Sequence, residues 1–306
     1  MAKPTHIELG FGKYGVKIPI LYEDRSVLAI DKPAGWMLVP FNWQQTKRNL
    51  QAAIASSIAA GDYWAKSRNI KFLRNIHRLD ADTSGILLMG KSMGALETYG
   101  DLFESRRMEK RYLAVVQGIP KNPEWKCELS IGQAPGQIGS MIVDERNGKD
   151  AETHFKLLAS AKGISLIEAR PVTGRTHQIR VHLLESGHPI VGDEIYGTTD
   201  NRGLGLRAIY LAYNDPFTKR RIQIHAPVAG FLKTFGFGRL TAELGKPVPA
   251  NFQTDRKPEP ARSGSRQSPK PATNPHPSAT RASDTSAEAP TSHGDNVPSK
   301  NQQDPG

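Results

Sequence analysis

Residues 75–92 read NIHRLDADTSGILLMGKS. The stretch opens on a charged run, His77, Arg78, Asp80 and Asp82, passes through Thr83-Ser84-Gly85, and ends in Ile86-Leu87-Leu88-Met89. Four consecutive apolar residues bounded by turn-formers read as a short buried strand. The polar run is therefore held at the lip of that strand, where a rigid scaffold meets solvent. A carboxylate placed there, Asp80, can serve as general base, metal ligand, ion-pair partner or nucleophile.

On either side, strand-like and helix-like segments alternate without a regular repeat. Pro19–Tyr22 and Val27–Ile30 read as strands, the second closed by the turn sequence Lys32-Pro33-Ala34-Gly35. Leu50–Ala60 has helical spacing and stops at Gly61. Ser92 is placed to cap a helix on which Leu96, Tyr99 and Phe103 recur. Arg111–Gln117, His154–Leu158 and Ile164–Ala169 read as further strands, and Thr176 is the expected N-cap of a helix that ends at Gly187 before Pro189. Strands with interspersed helices, and no regular βαβ units, predict an α+β fold with a mixed, largely antiparallel central sheet and flanking helices.

Composition divides the chain. Residues 251–306 hold 9 of the 22 prolines, and their only large apolar side chains are Phe252 and Val297. Such a segment cannot bury enough apolar surface to offset the entropy of ordering it, so a disordered tail is expected. The expected organisation is an N-terminal arm over 1–18, one catalytic domain over 19–250 and the tail over 251–306. The tail carries 7 Lys/Arg against 6 Asp/Glu, so 10 of the 11 net positive charges lie in the first 250 residues. A domain that basic attracts polyanions, although a basic surface also serves solubility. The single cysteine, Cys127, excludes an intrachain disulfide and a Cys-rich zinc site. No N-terminal apolar region and no run near the ~18 apolar residues of a membrane helix is found, which predicts a cytoplasmic protein without membrane contact.

Several motifs fail on inspection. Gly10-Phe11-Gly12-Lys13-Tyr14-Gly15 formally matches the dinucleotide fingerprint, but Val16, Ile18, Pro19 and Ile20 after it are poor helix openers. His177 and His182 are five apart and point to different faces of a helix, so each reads as structural. Around Asp80 the neighbourhood is basic: Lys66, Arg68, Lys71, Arg74 and Arg78 precede it. Such a run suits an approaching polyanion, and nearby arginines keep a carboxylate ionised and oriented. An ionised, oriented carboxylate can attack a sugar carbon, yet no clear second acid is present to protonate a leaving base. That combination fits a base that is re-attached instead of released. An Asp that merely caps a turn, salt-bridged to an arginine, fits the tetrapeptide His77-Arg78-Leu79-Asp80 as well.

The surroundings extend the reading. His77-Arg78-Leu79-Asp80, two residues, Thr83-Ser84-Gly85 and an apolar strand resemble the signature of the RluA-type pseudouridine synthases. In chain order follow further matches: Asp31-Lys32-Pro33-Ala34-Gly35 before it, then Lys110–Ala114, Thr173–His182, and Gly187–Ile190 with Gly192-Asp193. The resemblance covers about residues 19–228. It implies that Asp80 is the nucleophile acting on a uridine within RNA, ribosomal or transfer. Tyr112 stacks on the flipped base and helps remove the C5 proton, and Arg180 holds Asp80 in a salt bridge. Arg78 helps displace the target base, and His77, Arg175, Lys110, Lys71 and Arg74 complete the expected RNA contacts. The reaction breaks N1–C1′, turns the uracil and bonds C5 to C1′, by direct attack or through a glycal, with no metal or cofactor. A monomer is expected.

The chain departs from the family pattern in places. The residues before Pro19 are too few for an S4-type RNA-binding module. Leu206-Arg207-Ala208 and Asp215-Pro216 stand where members often show Leu-His-Ala and His-Pro. Lys219-Arg220-Arg221 forms a basic hairpin that touches phosphates or faces water. A competing expectation is a non-catalytic RNA-binding or ribosome-assembly factor on the same fold, which would not need Asp80, Tyr112 and Arg180 together.

Overall fold

The buried strand anticipated at Ile86–Met89 is the spine of the molecule. The computed structural model describes residues 3–10, 15–38 and 48–244, so the expected tail and residues 11–14 of the glycine-rich arm lie outside the described residues. In chain order the strands are β1 (His6–Leu9), β2 (Val16–Glu23), β3 (Val27–Lys32), β4 (Arg74–Asn75), β5 (Ser84–Gly90), β6 (Glu109–Gln117) and β7 (Glu124–Cys127). They continue with β8 (Ile131–Gln133), β9 (Met141–Val143), β10 (Thr153–Ala161), β11 (Ile164–Pro171), β12 (Leu206–Asn214) and β13 (Arg221–His225). The helices are α1 (Leu50–Ala60), α2 (Tyr63–Lys66), α3 (Met93–Glu104), α4 (Gln178–Glu185), α5 (Ala229–Thr234) and α6 (Thr241–Leu244).

One sheet runs β1-β2-β3-β5-β12-β6-β11-β10-β7, with β4 added to β5 and β13 to β12, while β8 and β9 form a separate hairpin. Every pairing is antiparallel except β5 with β12. This is the mixed, largely antiparallel α+β architecture expected. β5 is apolar at successive positions because both of its faces are covered. Ile86 and Leu88 meet Val27, Ala29 and Tyr99 on one side, while Leu87 and Met89 meet Ile30, Leu50, Ile54 and Trp64 on the other.

Local rules account for the element ends. Asn49 accepts from the Ala52 amide at the start of α1, and Gly61 closes that helix in the left-handed conformation, φ 72°. Ser92 caps α3 by accepting from the Ala95 amide at 3.1 Å. The buried face of α3 is Ala95, Tyr99 and Leu102, with Leu96 and Phe103 only partly covered. The glycine-rich segment is followed by β2, not by a helix, so it lacks the helix N-terminus a pyrophosphate needs. Ahead of it, β1 is an edge strand whose Ile7 and Leu9 are buried in the core. Part of the segment read as an arm thus completes the sheet.

The register of the three central strands sets up the site. Gly85 at the head of β5 lies opposite Ala208 of β12, and Ala208 lies opposite Tyr112 of β6. Tyr112 is therefore carried to within two strands of the loop that ends in β5. The approach is close: a Cβ on Gly85 would sit 2.1 Å from the Ala208 carbonyl oxygen, at a φ of +111° that a side chain rarely adopts. Only glycine lets β12 dock beside the loop that leads into β5.

Candidate active site

Asp80 sits in the loop between β4 and β5, its side chain 19 % exposed. A cavity of about 400 Å³ is walled by Arg78, Asp80, Lys110, Tyr112, Arg175 and Arg180, among others. A second depression of about 480 Å³ shares Arg78, Asp80, His177 and Arg180 and is bordered by the exposed Ile138 and Ile195. Asp80 is thus reachable from both.

The loop is built to keep its shape. Lys32, at the end of β3, is fully buried and donates its Nζ to the carbonyls of Ala81 (2.7 Å), Thr83 (3.0 Å) and Pro33 (3.1 Å). Burial lowers its pKa to about 8, against the opposing pull of Asp82 and Asp80. A second strut comes from Arg207, where the family pattern often has histidine. It donates to Asp31 Oδ2 at 2.7 Å, to Ser84 Oγ at 3.2 Å and to the Pro227 carbonyl. The other departure, Asp215, closes the β12–β13 turn by accepting from the Phe217 and Thr218 amides, and also accepts from the Tyr99 hydroxyl. In the basic hairpin, Arg221 is tied to Glu109 at 2.6 Å and Lys219 donates to the Pro216 carbonyl.

Arg180 reaches Asp80 as expected, but it belongs first to another carboxylate. Its Nε and Nη2 donate to Asp193 Oδ2 and Oδ1, both at 2.7 Å, in a buried two-point pair. Nη1 remains for Asp80 Oδ2, at 3.4 Å. Burial alone would raise the Asp193 carboxyl, yet Arg180 and the amides of Ile195 and Tyr196 hold it below the usual carboxylate range. Asp193 anchors the guanidinium, and the guanidinium faces Asp80.

Tyr112, half-buried on β6, has its pKa pushed up by burial and further by the nearby Asp80 charge, so its hydroxyl keeps its proton. Lys110, two residues earlier, donates to the Thr173 carbonyl at 2.7 Å, and burial, with Arg106 nearby, lowers its pKa to about 8. Arg175 donates its Nε to the Asp150 carbonyl and lines the same cavity. Arg78 is exposed at the rim and forms no ion pair with a described residue. Lys71 and Arg74, expected among the RNA contacts, are exposed but do not line either depression. Arg74 is engaged in β4, with its guanidinium 5.8 Å from the Phe72 ring centre.

The histidines separate by role. His182 bridges Thr153 Oγ1 and the Leu129 carbonyl inside the core, as a structural histidine does. His77 lines the cavity, stacks on Phe103 at 4.6 Å and accepts the Leu88 amide on Nε2 at 3.0 Å. Burial, with Lys110 nearby, lowers its pKa to about 3. The unfolded chain therefore binds this proton below about pH 6.5 while the folded protein does not, so stability falls as pH drops through that window. From pH 8 to pH 5 the loss assignable to His77 is about 2 kcal/mol. Urea unfolding at the two pH values checks it, and His77→Gln should shrink the difference.

His177 was read as structural, but the fold brings its Nε2 to 3.8 Å from Asp80 Oδ1. Thr176 does not cap α4. His177 occupies the cap position in a left-handed conformation, φ 54°, without a side-chain cap bond. The preceding turn is tied instead by Gln178, whose Oε1 accepts from Thr173 Oγ1 and the Arg175 amide.

Comparison with known proteins fits this arrangement. Residues 26–185 match the family model described as RNA pseudouridylate synthase. The chain belongs to that family. Ribosomal large subunit pseudouridine synthase C of Vibrio vulnificus is 34 % identical over 226 residues, covering 68 % of this chain and 65 % of that protein. The Escherichia coli K12 protein of the same name is 34 % identical over 231 residues, covering 70 % and 67 %. The chain thus spans about two thirds of the length of these relatives. Among solved structures, human RNA pseudouridylate synthase domain containing 1 aligns with a TM-score of 0.53 at 26 % identity, over 69 % of this chain and 83 % of that one. Human RNA pseudouridylate synthase domain containing 4 shares the fold, with a TM-score of 0.57 at 21 % identity over 72 % and 92 %.

Proposed function

We propose that this protein isomerises uridine to pseudouridine within RNA, with Asp80 as the nucleophile. Large-subunit ribosomal RNA is the first substrate to test, because the relatives carry that name; transfer RNA is the second. The observation that carries the reading is the meeting of Asp80, Tyr112 and Arg180 in one cavity rimmed by cations. At about 400 Å³ that cavity is within the range of small-ligand sites, roughly 300–1,000 Å³, and suits one extruded nucleoside. Arg78 at the rim is free to stack on or replace the displaced base, while Lys110, Arg106 and Arg175 supply phosphate contacts. No membrane-crossing helix is present among the described residues, and the working form is taken to be a cytoplasmic monomer.

Pseudouridine-specific chemical mapping of cellular RNA, with and without the gene, tests the proposal. A site that loses its signal on deletion names the substrate; a map that does not change favours a binding factor that has kept the fold.

The catalytic unit we propose is residues 19–250, with β1 as an added edge strand and 251–306 as a dispensable extension. A chain ending at residue 250 should melt at the same temperature as the full chain and turn over at a similar rate. Its RNA affinity should fall only slightly, because the 7 cations removed are nearly balanced by 6 anions. A large drop in melting temperature would instead mean that the extension docks.

A further inference from the structure

Two donors face the Asp80 carboxylate, and a single residue contacts both. Tyr196, in the turn after Asp193, lies beneath the Arg180 guanidinium, 4.9 Å from ring centre to the guanidinium carbon. Its hydroxyl is 2.8 Å from His177 Nδ1, and the two rings meet edge to face at 5.5 Å. The same hydroxyl accepts the Met141 amide of the β8–β9 hairpin at 2.7 Å.

Donor counting settles which way the protons run. An amide N–H can only donate, so the Tyr196 oxygen accepts from Met141. The Tyr196 O–H proton then has His177 Nδ1 as its acceptor. Nδ1 is therefore bare and the imidazole proton sits on Nε2, pointing at Asp80 Oδ1, 3.8 Å away. The reverse arrangement would make the Tyr196 oxygen accept twice and leave its own proton without a partner among the described residues. His177 also pays for its position with a left-handed backbone, φ 54°, that a residue with a Cβ adopts at a cost of order 1–2 kcal/mol.

We propose that Tyr196 is a positioning residue that sets both donors facing Asp80, and that it fixes His177 as a neutral Nε2–H donor to Oδ1. The role rests on the reading of Asp80 as nucleophile. By either route Asp80 begins and ends the reaction as a carboxylate. Direct attack forms the Asp80 O–C1′ bond as N1–C1′ breaks with its electron pair on uracil. When C5 takes C1′ the Asp80 O–C1′ pair returns to the carboxylate, and C5 then loses a proton while N1 gains one. At 3.4 and 3.8 Å the two donors are too long to be full hydrogen bonds. They leave the lone pairs of Asp80 available to substrate while remaining close enough to receive the returning charge. A protonated His177 would add a second cation beside Arg180 and damp the nucleophile. Protonation would also turn Nδ1 into a donor and leave the Tyr196 hydroxyl proton without its acceptor.

The groups facing His177 are Asp80 and Arg78 from the catalytic loop, Arg180 from α4, and Asp193 and Tyr196 from the turn that follows. Burial keeps the imidazole below its ordinary pKa, and Arg180 and Arg78 reinforce this against the pull of Asp80 and Asp193.

Nitrogen-15 correlation spectra of histidine-labelled protein, with the His177 signal assigned by its loss in His177→Gln, read the tautomer directly. The expected result is Nε2–H at neutral pH, with protonation setting in only at a lower pH than for a free imidazole. In Tyr196→Phe the lock is gone, so His177 should become protonated nearer its ordinary pKa. There kcat should fall by up to about fourfold between about pH 8 and about pH 6, with KM changed little, while the unmodified enzyme stays flatter over the same range. His177→Gln, whose amide is a neutral donor at every pH, should also stay flat and keep more activity than His177→Ala. An Nδ1–H signal in the unmodified protein, or a Tyr196→Phe pH profile matching the unmodified one, overturns the proposal. The spectra need no turnover, so they judge the tautomer even if no RNA is found to be modified.

Discussion

Asp80→Asn is expected to leave no detectable turnover while melting temperature and RNA affinity remain close to those of the unmodified protein. Asparagine keeps the size of the side chain and an oxygen that can still accept from Arg180 Nη1, but it removes the negative charge and the nucleophile. Folding tolerates the change because Arg180 does not depend on Asp80 for charge balance. Its two-point partner is Asp193, at 2.7 Å on both oxygens, whereas Asp80 stands at 3.4 Å. RNA affinity tolerates it because the cations of the rim, Arg78, Arg106, Lys110 and Arg175, are untouched. A turn-forming role for Asp80 predicts the opposite: lower melting temperature, with activity falling only as far as folded protein falls. One preparation measured for all three properties separates the two. Turnover within roughly tenfold of the unmodified enzyme, a barrier change of only ~1.4 kcal/mol, would rule out the nucleophile assignment.

The contrast between Asp80 and Asp193 also marks where the sequence stops being readable. Strands such as β5 and helices such as α1 are legible because their signals are local. A run of apolar residues between turn-formers, and Gly61 after α1, need no distant partner to act. The loop of Asp80 is legible for a related reason: its motif, His77 to Gly85, is contiguous. What holds the site together is not contiguous. Lys32 reaches Ala81 and Thr83 across some fifty positions, and Arg207 joins Asp31 to Ser84. Neither link leaves a periodic trace. His177 was assigned to a helix by spacing, but the chain turns left-handed there and delivers the imidazole to Asp80 instead of the core. A threonine at position 176 is a good cap by type, and Gln178 displaced it by tying the turn with its own side chain. Lys71 and Arg74 show the converse. They are close to Asp80 in sequence, but both are exposed outside the two depressions, Arg74 in β4 and Lys71 in the segment ahead of it.

The largest expected effect on stability is that of Asp193→Ala. Asp193 is fully buried, and its carboxylate accepts from both the Nε and the Nη2 of Arg180 and from the amides of Ile195 and Tyr196. Removing it leaves a buried guanidinium without its partner and two amides without an acceptor. Breaking one side of a buried pair costs about 3–5 kcal/mol, which for a domain of this size corresponds to a fall in melting temperature on the order of 10 °C. Activity should fall as well, by a separate route: Arg180, freed from Asp193, turns onto Asp80 and occupies the oxygens that the substrate needs. The double variant Arg180→Met, Asp193→Leu tests whether buried charge is the cause of the instability. With both charges gone and the space refilled by apolar groups, much of the lost stability should return, since a buried pair contributes little beyond its own desolvation. Activity should not return, because Asp80 then has neither its anchored cation nor the turn geometry that Asp193 caps. Unfolding midpoints and single-turnover rates on the two variants decide the matter. A double variant as unstable as Asp193→Ala would place the cost in the capped turn of Ile195 and Tyr196 instead of in the unpaired charge.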